Sequence, residues 1–166
     1  KKVDDPFSVT WVRHGSIAQA KVEYSTDGFQ TEPANVFLIG TINSPGQSAS
    51  WPIPDAIGTN VKVRVSDPAY NGTSVFTQSS TSAAFEIRGQ VKLNPSRVSP
   101  GPDSPLGGEV WLIGTDHTLQ WEKHGTIGNV KVEYKVGAGS FGYVQDAAST
   151  QATSVAGDTF AWRIPN

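Results

Sequence analysis

The sequence predicts an all-β chain made of two antiparallel β-sandwich domains in tandem. Three observations lead to this prediction: a long internal repeat, apolar residues that alternate with polar ones, and turn residues at short, regular intervals. Alternation with a period of two places one face of a strand against a core, whereas an amphipathic helix repeats its apolar residues about every 3.6 positions. We therefore expect short strands joined by tight turns.

The internal repeat has a period of about 110 residues. Residues 11–24 and 121–134 are identical at eight of fourteen positions, and both segments begin with Trp, contain His-Gly and end in Lys-Val-Glu-Tyr. Farther along, Trp-Pro-Ile-Pro at 51–54 returns as Trp-Arg-Ile-Pro at 162–165. A period of this length suits a whole small β domain and is too long for a solenoid unit. The chain is therefore expected to carry two copies of one domain.

We place the boundary between the copies near Gly89. The first domain spans 1–89 and lacks a first strand, and the second spans 90–166 and lacks its last strands. A Pro- and Gly-rich segment, 94–108, leads into the second copy. Because the chain begins with Lys and contains no Met, we interpret it as part of a longer protein. An incomplete sandwich exposes a sheet edge, which either the missing strands of the parent protein or a strand from another chain would cover.

Alternation assigns six strands to each copy. In the clearest case, Val61, Val63 and Val65 alternate with Lys62 and Arg64. The predicted strands lie near residues 7–12, 20–25, 34–39, 48–53, 60–66, 82–88, 91–93, 109–113, 117–122, 129–135, 142–146 and 158–164. Asp-Gly, Asn-Gly and Pro-Gly signals separate many of them. Short strands with one inward face indicate an immunoglobulin-like (fibronectin III-like) architecture.

Composition excludes several classes of site and partner. No cysteine is present, which excludes a disulfide framework, thiolate zinc sites and a cysteine nucleophile. The net charge of -2 gives no field that would draw the chain to nucleic acid or to an anionic membrane surface. No apolar run approaches the roughly 20 residues of a membrane span. We expect no nucleic-acid partner and no membrane-spanning segment.

The motifs of the two copies combine into one pattern. The second copy has Gly-Glu-Val-Trp at 108–111 and Val-Lys-Val-Glu-Tyr at 130–134, and the first has Ser-Thr-Asp-Gly at 25–28, Trp-Pro-Ile-Pro-Asp at 51–55 and Val-Lys-Val-Arg-Val-Ser-Asp at 61–67. This pattern resembles the tandem bacterial immunoglobulin-like repeat related to the Ser/Thr-rich, GPI-anchored yeast cell-wall protein domain. The resemblance implies an extracellular location at the cell surface or cell envelope, and no shared catalytic residues.

We therefore expect a structural, non-enzymatic protein with no cofactor. Its modules would provide spacing and self-assembly contacts in a bacterial surface-layer (S-layer) or cell-envelope protein. The partners would be copies of itself or neighbouring immunoglobulin-like domains of the parent chain, with cell-wall glycans as a further class. One alternative is an adhesin or a carbohydrate-binding accessory module of a secreted hydrolase, for which Phe141 and Tyr143 are the best aromatic candidates. Another is a spacer without any partner.

Calcium is a metal for which the sequence offers candidate ligands. Calcium binds several oxygen ligands at loop ends, and Asp55, Asp67, Asp103 and Asp116 lie in predicted loops. No Asp-x-Asp-x-Asp-Gly loop unites them, so the sequence offers candidates without a complete site. Asn71, within Asn-Gly-Thr, is a candidate N-glycosylation residue.

The histidines are interpreted as architectural. His14 and His124 each precede a Gly at equivalent repeat positions, as turn residues at strand ends do, although a metal ligand or base is the alternative. His117 lies in the inward register and is expected to be partly buried. The chain has no Gly-x-Ser-x-Gly elbow and no His-Glu-x-x-His motif. These absences support the expectation that the chain is not an enzyme.

The tryptophans are predicted to be core residues. Trp11 and Trp121 occupy one repeat position, and Trp51 and Trp162 occupy another, each in an inward register. A sugar-stacking platform is the alternative. Repetition in register favours the core, because a repeated domain repeats its packing.

Four charged residues are predicted to lie on the outer face of adjacent strands. Lys21 and Glu23 alternate with core residues on one strand, as Lys62 and Arg64 do on another. We expect exposed cross-strand ion pairs between them, of small energetic weight.

Overall fold

The computed structural model describes residues 1–68, 79–93 and 108–166. Every regular element in these ranges is a β-strand, and they contain no helix. The all-β prediction is therefore confirmed. The candidate residues Asn71 and Asp103, and most of the predicted linker 94–108, lie outside the described residues.

The strands are short, as the alternation predicted. In chain order they are β1 (Ser8–Thr10), β2 (Gln19–Ser25), β3 (Val36–Asn43), β4 (Ser48–Ser50), β5 (Gly58–Ser66), β6 (Ser80–Thr81), β7 (Phe85–Ile87), β8 (Gln90–Leu93), β9 (Asp116–His124), β10 (Glu133–Tyr134), β11 (Gly142–Tyr143) and β12 (Thr159–Arg163). Contacts divide the chain into two compact units, Lys1–Gly89 and Gln90–Asn166, here called unit 1 and unit 2.

β2 is central to the larger sheet of unit 1. The strand order is β3-β2-β5-β6, and β7 also pairs with β5. β2 pairs antiparallel with both neighbours, and on the β5 side Tyr24 lies opposite Val63 while Glu23 lies opposite Arg64. Successive residues of a strand face opposite sides of the sheet. Tyr24 and Val63 therefore share the core side, and the charged pair shares the outer side.

The core of unit 1 forms between this sheet and the β1–β4 pair. β1 and β4 pair antiparallel, with Val9 opposite Ala49. Both sheets contribute to one cluster of buried apolar residues: Val3, Val9, Val22, Ala49, Trp51, Ile53, Val61, Val63 and Ile87. The short strands are thus held by side chains that meet from two layers.

The first residues of unit 1 run parallel to its last strand segment. Lys2 and Arg88 form a parallel bridge. The Val3 N–H donates to the Arg88 carbonyl at 2.9 Å, and the Arg88 N–H donates to the Lys1 carbonyl at 2.9 Å. The two ends of unit 1 are therefore joined directly by backbone hydrogen bonds.

Unit 2 contains a three-stranded sheet and a short pair. The sheet order is β12-β9-β8, and β10 pairs with β11. Its smaller buried core consists of Leu119, Trp121, Val144 and Ala152, with partly buried apolar residues packed around it. Additional single bridges, such as Val130 with Val155, extend the pairing beyond the short strands.

Equivalent residues of the two copies make the same backbone hydrogen bonds. The Trp11 N–H donates to the Gln47 carbonyl at 3.2 Å, and the Trp121 N–H donates to the Asp158 carbonyl at 2.9 Å. The register of β1 on β4, shifted by the repeat offsets, is also the register of β9 on β12. The sequence repeat is therefore a repeat of strand pairing as well.

This correspondence reaches further upstream than the repeated sequence block. The Asp4 N–H donates to the Ile53 carbonyl at 2.9 Å, and the Gly114 N–H donates to the Ile164 carbonyl at 2.9 Å. Both donors have a left-handed backbone, with φ of 65° at Asp4 and 76° at Gly114. The same turn thus forms with different residues.

The predicted strand at 109–113 is wrong. These residues form no strand, and a turn closes directly after them, where the Thr115 N–H and hydroxyl both donate to the Leu112 carbonyl. The prediction rested on apolar residues, yet Val110, Leu112 and Ile113 are exposed. With Gly114 in the left-handed region, the chain turns before a ladder can form.

We predict that the same substitution destabilises the two units unequally. Val22 has 0% of its surface exposed, whereas its equivalent Val132 is only partly buried. Val22→Ala removes fully buried methyl groups and should cost unit 1 about 2 kcal/mol, while Val132→Ala should cost unit 2 less than about 1 kcal/mol. Hydrogen exchange of amides in each unit would measure the two effects separately. Equal losses would contradict the difference in packing.

Candidate functional site

The repeated histidines lie at turns that follow a strand segment. His14 is exposed, and His124, the last residue of β9, is partly buried with its Nε2 at 3.4 Å from Glu122. The glycines that follow them, Gly15 and Gly125, have φ of 78° and 88°. Only glycine adopts such angles without cost, so the His-Gly pairs mark a turn that both copies need. This geometry fits the architectural interpretation.

His117 belongs to an aromatic stack in unit 2. Its ring lies parallel to that of Trp111, with centroids 4.2 Å apart. The Thr115 hydroxyl is 2.8 Å from its Nε2, and Trp111 also contacts Trp162 edge-on at 5.6 Å. The equivalent of His117 is Phe7, which packs against Trp51 in unit 1. His117 therefore occupies a packing position, as its inward register predicted.

The calcium candidates stand at separate places along the chain. Asp55 is exposed after Pro54, and Asp67 is partly buried just beyond β5. Asp116 begins β9 and pairs with Arg163 at 2.9 Å. Within the described ranges, no three His, Asp or Glu side chains come together as a possible metal site.

A cation holds the same loops in each unit. In unit 1 the Arg13 guanidinium donates to the carbonyls of Ile17 at 2.7 Å and Gly46 at 3.1 Å. In unit 2 the equivalent Lys123 donates to the Ala156 carbonyl at 2.7 Å and forms an ion pair with Asp158. The basic residue at this position of the repeat therefore holds loops together through hydrogen bonds to their carbonyls.

The carboxylate of Asp27, in the loop between β2 and β3, accepts five hydrogen bonds. One carboxylate oxygen accepts from the Ser25 hydroxyl at 2.7 Å and from the Gln30 N–H at 3.2 Å. The other accepts from the Thr31 N–H at 3.0 Å, from the Thr31 hydroxyl, and from the Asn35 amide at 3.2 Å. Asp27 thus organises the whole loop around one carboxylate.

The backbone around Asp27 is anchored to β5. The Asn60 side chain donates to the Asp27 carbonyl at 2.8 Å. Gly28 follows with φ of 75°, and a Cβ there would lie only 2.9 Å from the Asn60 amide. Glycine is required at this position by both the angle and the close approach. The Asp-Gly pair, noted in the sequence only as a turn signal, is therefore the centre of a network.

This loop also covers the charged outer face of the sheet. Arg64 binds Glu23 at 3.2 Å and Glu32 at 2.6 Å, and its guanidinium lies 4.3 Å from the centre of the Phe29 ring. The side chains of Glu23 and Arg64 are only 12% exposed. The expectation of exposed pairs is wrong here, because Phe29 and Glu32 from the loop fold over them.

The loop is not repeated in unit 2. Gly137 stands at the position equivalent to Asp27. The shorter connection between β10 and β11 presents Phe141, which is 64% exposed, and the Lys135 ammonium lies 5.2 Å from its ring centre. Tyr143 on β11 is 38% exposed. The two aromatic residues proposed for sugar binding are thus on the surface.

The repeated tryptophans are covered to different degrees. Trp51 is 5% exposed and Trp121 is 3% exposed, whereas their equivalents Trp162 and Trp11 are only partly buried. Leu93 on β8 lies opposite Trp121 in the sheet. Within the described residues, unit 1 has no strand in the place of β8 and unit 2 has none in the place of β5 or β7.

Each unit has a groove beside the less buried of its repeated tryptophans, which is Trp11 in unit 1 and Trp162 in unit 2. In unit 1 a groove of about 530 Å³ runs along residues 11–17 and the end of β5. In unit 2 a groove of about 550 Å³ opens over the core. Its lining includes Trp111, Leu119, Val132, Tyr134, Val144 and Trp162. We call the latter the open groove of unit 2; it is mainly apolar, and its charged lining residues are Glu109, Glu133 and Lys135.

No known protein family, curated protein or solved structure matches this chain. The described residues contain no helix with the length and apolar character needed to cross a membrane. The features of the molecule that bear on its function are therefore the grooves, the exposed side chains and the repeated framework.

We predict a pH-dependent contribution of Asp27 to the stability of unit 1. Hydrogen bonds from Thr31 and Ser25 hold the pKa of Asp27 well below its ordinary value of 3.8. A carboxyl whose pKa is lower in the folded state stabilises that state above the unfolded pKa, and this contribution is lost as the pH falls through the folded pKa. Asp27→Asn should therefore lower the melting temperature of unit 1 at neutral pH and flatten its decline below about pH 4.

Asp146→Asn provides the matched control in unit 2. The Thr150 N–H donates to Asp146 at 2.8 Å and lowers the pKa of this carboxyl. Melting curves from amide signals of each unit, recorded at several pH values, separate the two contributions. An Asp27→Asn variant whose unit 1 keeps the full pH dependence of the wild type would show that Asp27 is not responsible.

Proposed function

We propose that this chain is a structural, non-enzymatic part of a bacterial cell-surface protein. Two immunoglobulin-like β-sandwich modules would provide spacing and self-assembly contacts, in a surface-layer or other cell-envelope protein. The observation that carries this proposal is the repetition of a framework: strand register, turn, the basic residue that holds loops together and tryptophan packing recur in both units. A repeated framework whose loops differ is typical of modules used for their shape.

Exposed apolar residues supply surfaces for the proposed contacts. Val110 is 89% exposed, Leu112 70% and Ile113 65%, all within one short segment of unit 2. Contiguous exposed apolar groups are unfavourable in water and mark protein contacts. The extracellular location in this proposal rests on the sequence resemblance.

A carbohydrate-binding role is the second candidate. Phe141 and Tyr143 are exposed on adjacent parts of one hairpin, and Lys135 lies against Phe141. Exposed aromatic rings are apolar surfaces on which a flat ligand stacks. This observation favours an adhesin or an accessory module of a secreted hydrolase over a spacer without partners.

We predict that the chain self-associates through the segment that contains Leu112. Light scattering of the full chain should show a mass that rises with concentration. Leu112→Lys should shift association to concentrations about tenfold higher, since an apolar side chain would be lost from the contact and a charge added. Thr118→Lys, which adds the same charge on the exposed face of β9, is the control and should have little effect.

The same measurement tests calcium. Loss of association after chelation would place calcium at the contacts, and unchanged association would exclude it from them. A strict monomer in both conditions would contradict the self-assembly part of the proposal.

The carbohydrate-binding candidate gives a separate prediction. If the hairpin binds glycans, Phe141→Ala combined with Tyr143→Ala should weaken retention on insoluble cell-wall polysaccharide by about tenfold, because two stacking surfaces are lost. Val136→Ala changes an exposed apolar residue beside the same hairpin and should retain binding. Retention that is absent in the wild type, or equal in all three proteins, would count against this candidate.

A further inference from the structure

The open groove of unit 2 has a filled counterpart in unit 1. There β5 pairs with β2 and places Val61 and Val63 in the core. In unit 2, residues 131–134 repeat the Lys-Val-Glu-Tyr of β2. No described strand pairs with the edge of this segment that corresponds to the β5 side. Unit 1 therefore shows which kind of strand such an edge accepts, and in which register.

The backbone of this segment has one used edge and one open edge. An antiparallel strand directs the backbone groups of successive residues to opposite edges. The Val132 N–H donates to the Ala152 carbonyl at 2.9 Å, and the Val132 carbonyl accepts from the Val144 N–H at 3.1 Å. Lys131 and Glu133, on either side of Val132, therefore direct their backbone groups to the open edge, where an added strand would bind them.

The charges along the open edge match those that β5 meets. Lys21 and Glu23 form an ion pair at 3.2 Å, and the equivalent Lys131 and Glu133 form one at 3.1 Å. In unit 1 Glu23 also binds Arg64 of β5 at 3.2 Å. An arginine on an added strand would meet Glu133 in the same way.

One position of the edge differs and gives the groove its own specificity. Lys62 of β5 lies opposite Ser25, but Lys135 stands at the position of Ser25 in unit 2. A lysine on the added strand would be repelled there, while an acidic residue would be attracted. The preferred strand therefore resembles β5 with one basic residue replaced by an acidic one.

The apolar lining sets the remaining positions. Val63 lies opposite Tyr24 on β2, and the equivalent Tyr134 lines the open groove beside Trp162. These two rings pack at 5.2 Å. Aliphatic side chains on alternate residues of an added strand would cover them, as the valines of β5 cover the core of unit 1.

We propose that the open groove of unit 2 binds an extended strand of a partner protein with the pattern aliphatic–acidic–aliphatic–Arg–aliphatic. The strand lies antiparallel to residues 131–135, its acidic residue opposite Lys135 and its arginine opposite Glu133. Backbone hydrogen bonds provide affinity, and the alternate side chains provide specificity. This strand would be a partner of the surface module proposed above. The inference rests on that proposed function only for the cell-surface location of the partner.

The test uses the full chain and an eleven-residue peptide of residues 57–67 that carries Lys62→Glu. Isotope-labelled protein is titrated with this peptide and followed by amide shifts and hydrogen exchange. We expect saturable binding with a stoichiometry of one, and new protection of the amides of Lys131, Glu133 and Lys135. Protection of these alternate residues would establish the register of the added strand.

Charge variants test the recognition. The unmodified peptide and the peptide that also carries Arg64→Glu should each bind about two- to fivefold more weakly than the Lys62→Glu peptide. Glu133→Lys in the protein should reverse the preference at the arginine position, so that the peptide with Arg64→Glu becomes the better ligand. Glu122→Lys, an equal charge change on β9 in the same unit, should leave the order unchanged.

Three results would overturn the proposal. The first is that millimolar peptide causes no saturable change in the amide signals, although the dispersed amide signals of unit 2 show that it is folded. The second is binding whose affinity is the same for all the charge variants of the peptide and the protein. The third is protection of the three amides in a dimer without peptide, which would mean that a second copy already fills the groove. The effect of Leu112→Lys on self-association concerns a different segment of unit 2, so a failed groove and a failed surface function are distinguishable.

Discussion

Each unit depends on one tryptophan that packs against a tyrosine from the other layer. Trp51 and Tyr24 lie 5.1 Å apart in unit 1, and Trp162 and Tyr134 lie 5.2 Å apart in unit 2. The tyrosine ends the Lys-Val-Glu-Tyr motif and the tryptophan begins the Trp-x-Ile-Pro motif. The best-preserved sequence blocks are thus the two sides of one contact. The sequence between them varies and includes the loop of Asp27, which unit 2 does not repeat.

Local sequence predicted the strands that have a neighbouring strand on each side and one face in the core. β2 and β5 alternate regularly because each has one face in the core, so Val22 and Val61 were identifiable as core residues without the structure. Apolar content alone misled at 109–113, where none of the strands that the structure describes pairs with the segment. Alternation reports a strand only when something in the fold buries one of its faces.

The sequence pattern could not predict contacts between residues that are far apart in the chain. Arg64 and Glu23 belong to adjacent strands, which the pattern recognised, but Phe29 and Glu32 cover them from a loop whose path depends on Asp27. Asp-Gly predicted the turn, although not the five hydrogen bonds that the Asp27 carboxylate accepts from four residues. For the open groove, the sequence repeat matched residues 131–134 to β2. The register of β5 on β2 was needed to give the position of each charge.

The parallel contact between the first residues and the last segment of unit 1 bears on how this unit responds to force. Lys2 bridges Arg88, and the flanking hydrogen bonds run across the two segments. If residues 1 and 89 are pulled in opposite directions, these bonds are loaded together in shear, whereas an antiparallel hairpin pulled at its open end would lose its bonds one at a time. Unit 1 therefore resists tension at its two ends through hydrogen bonds that must break together.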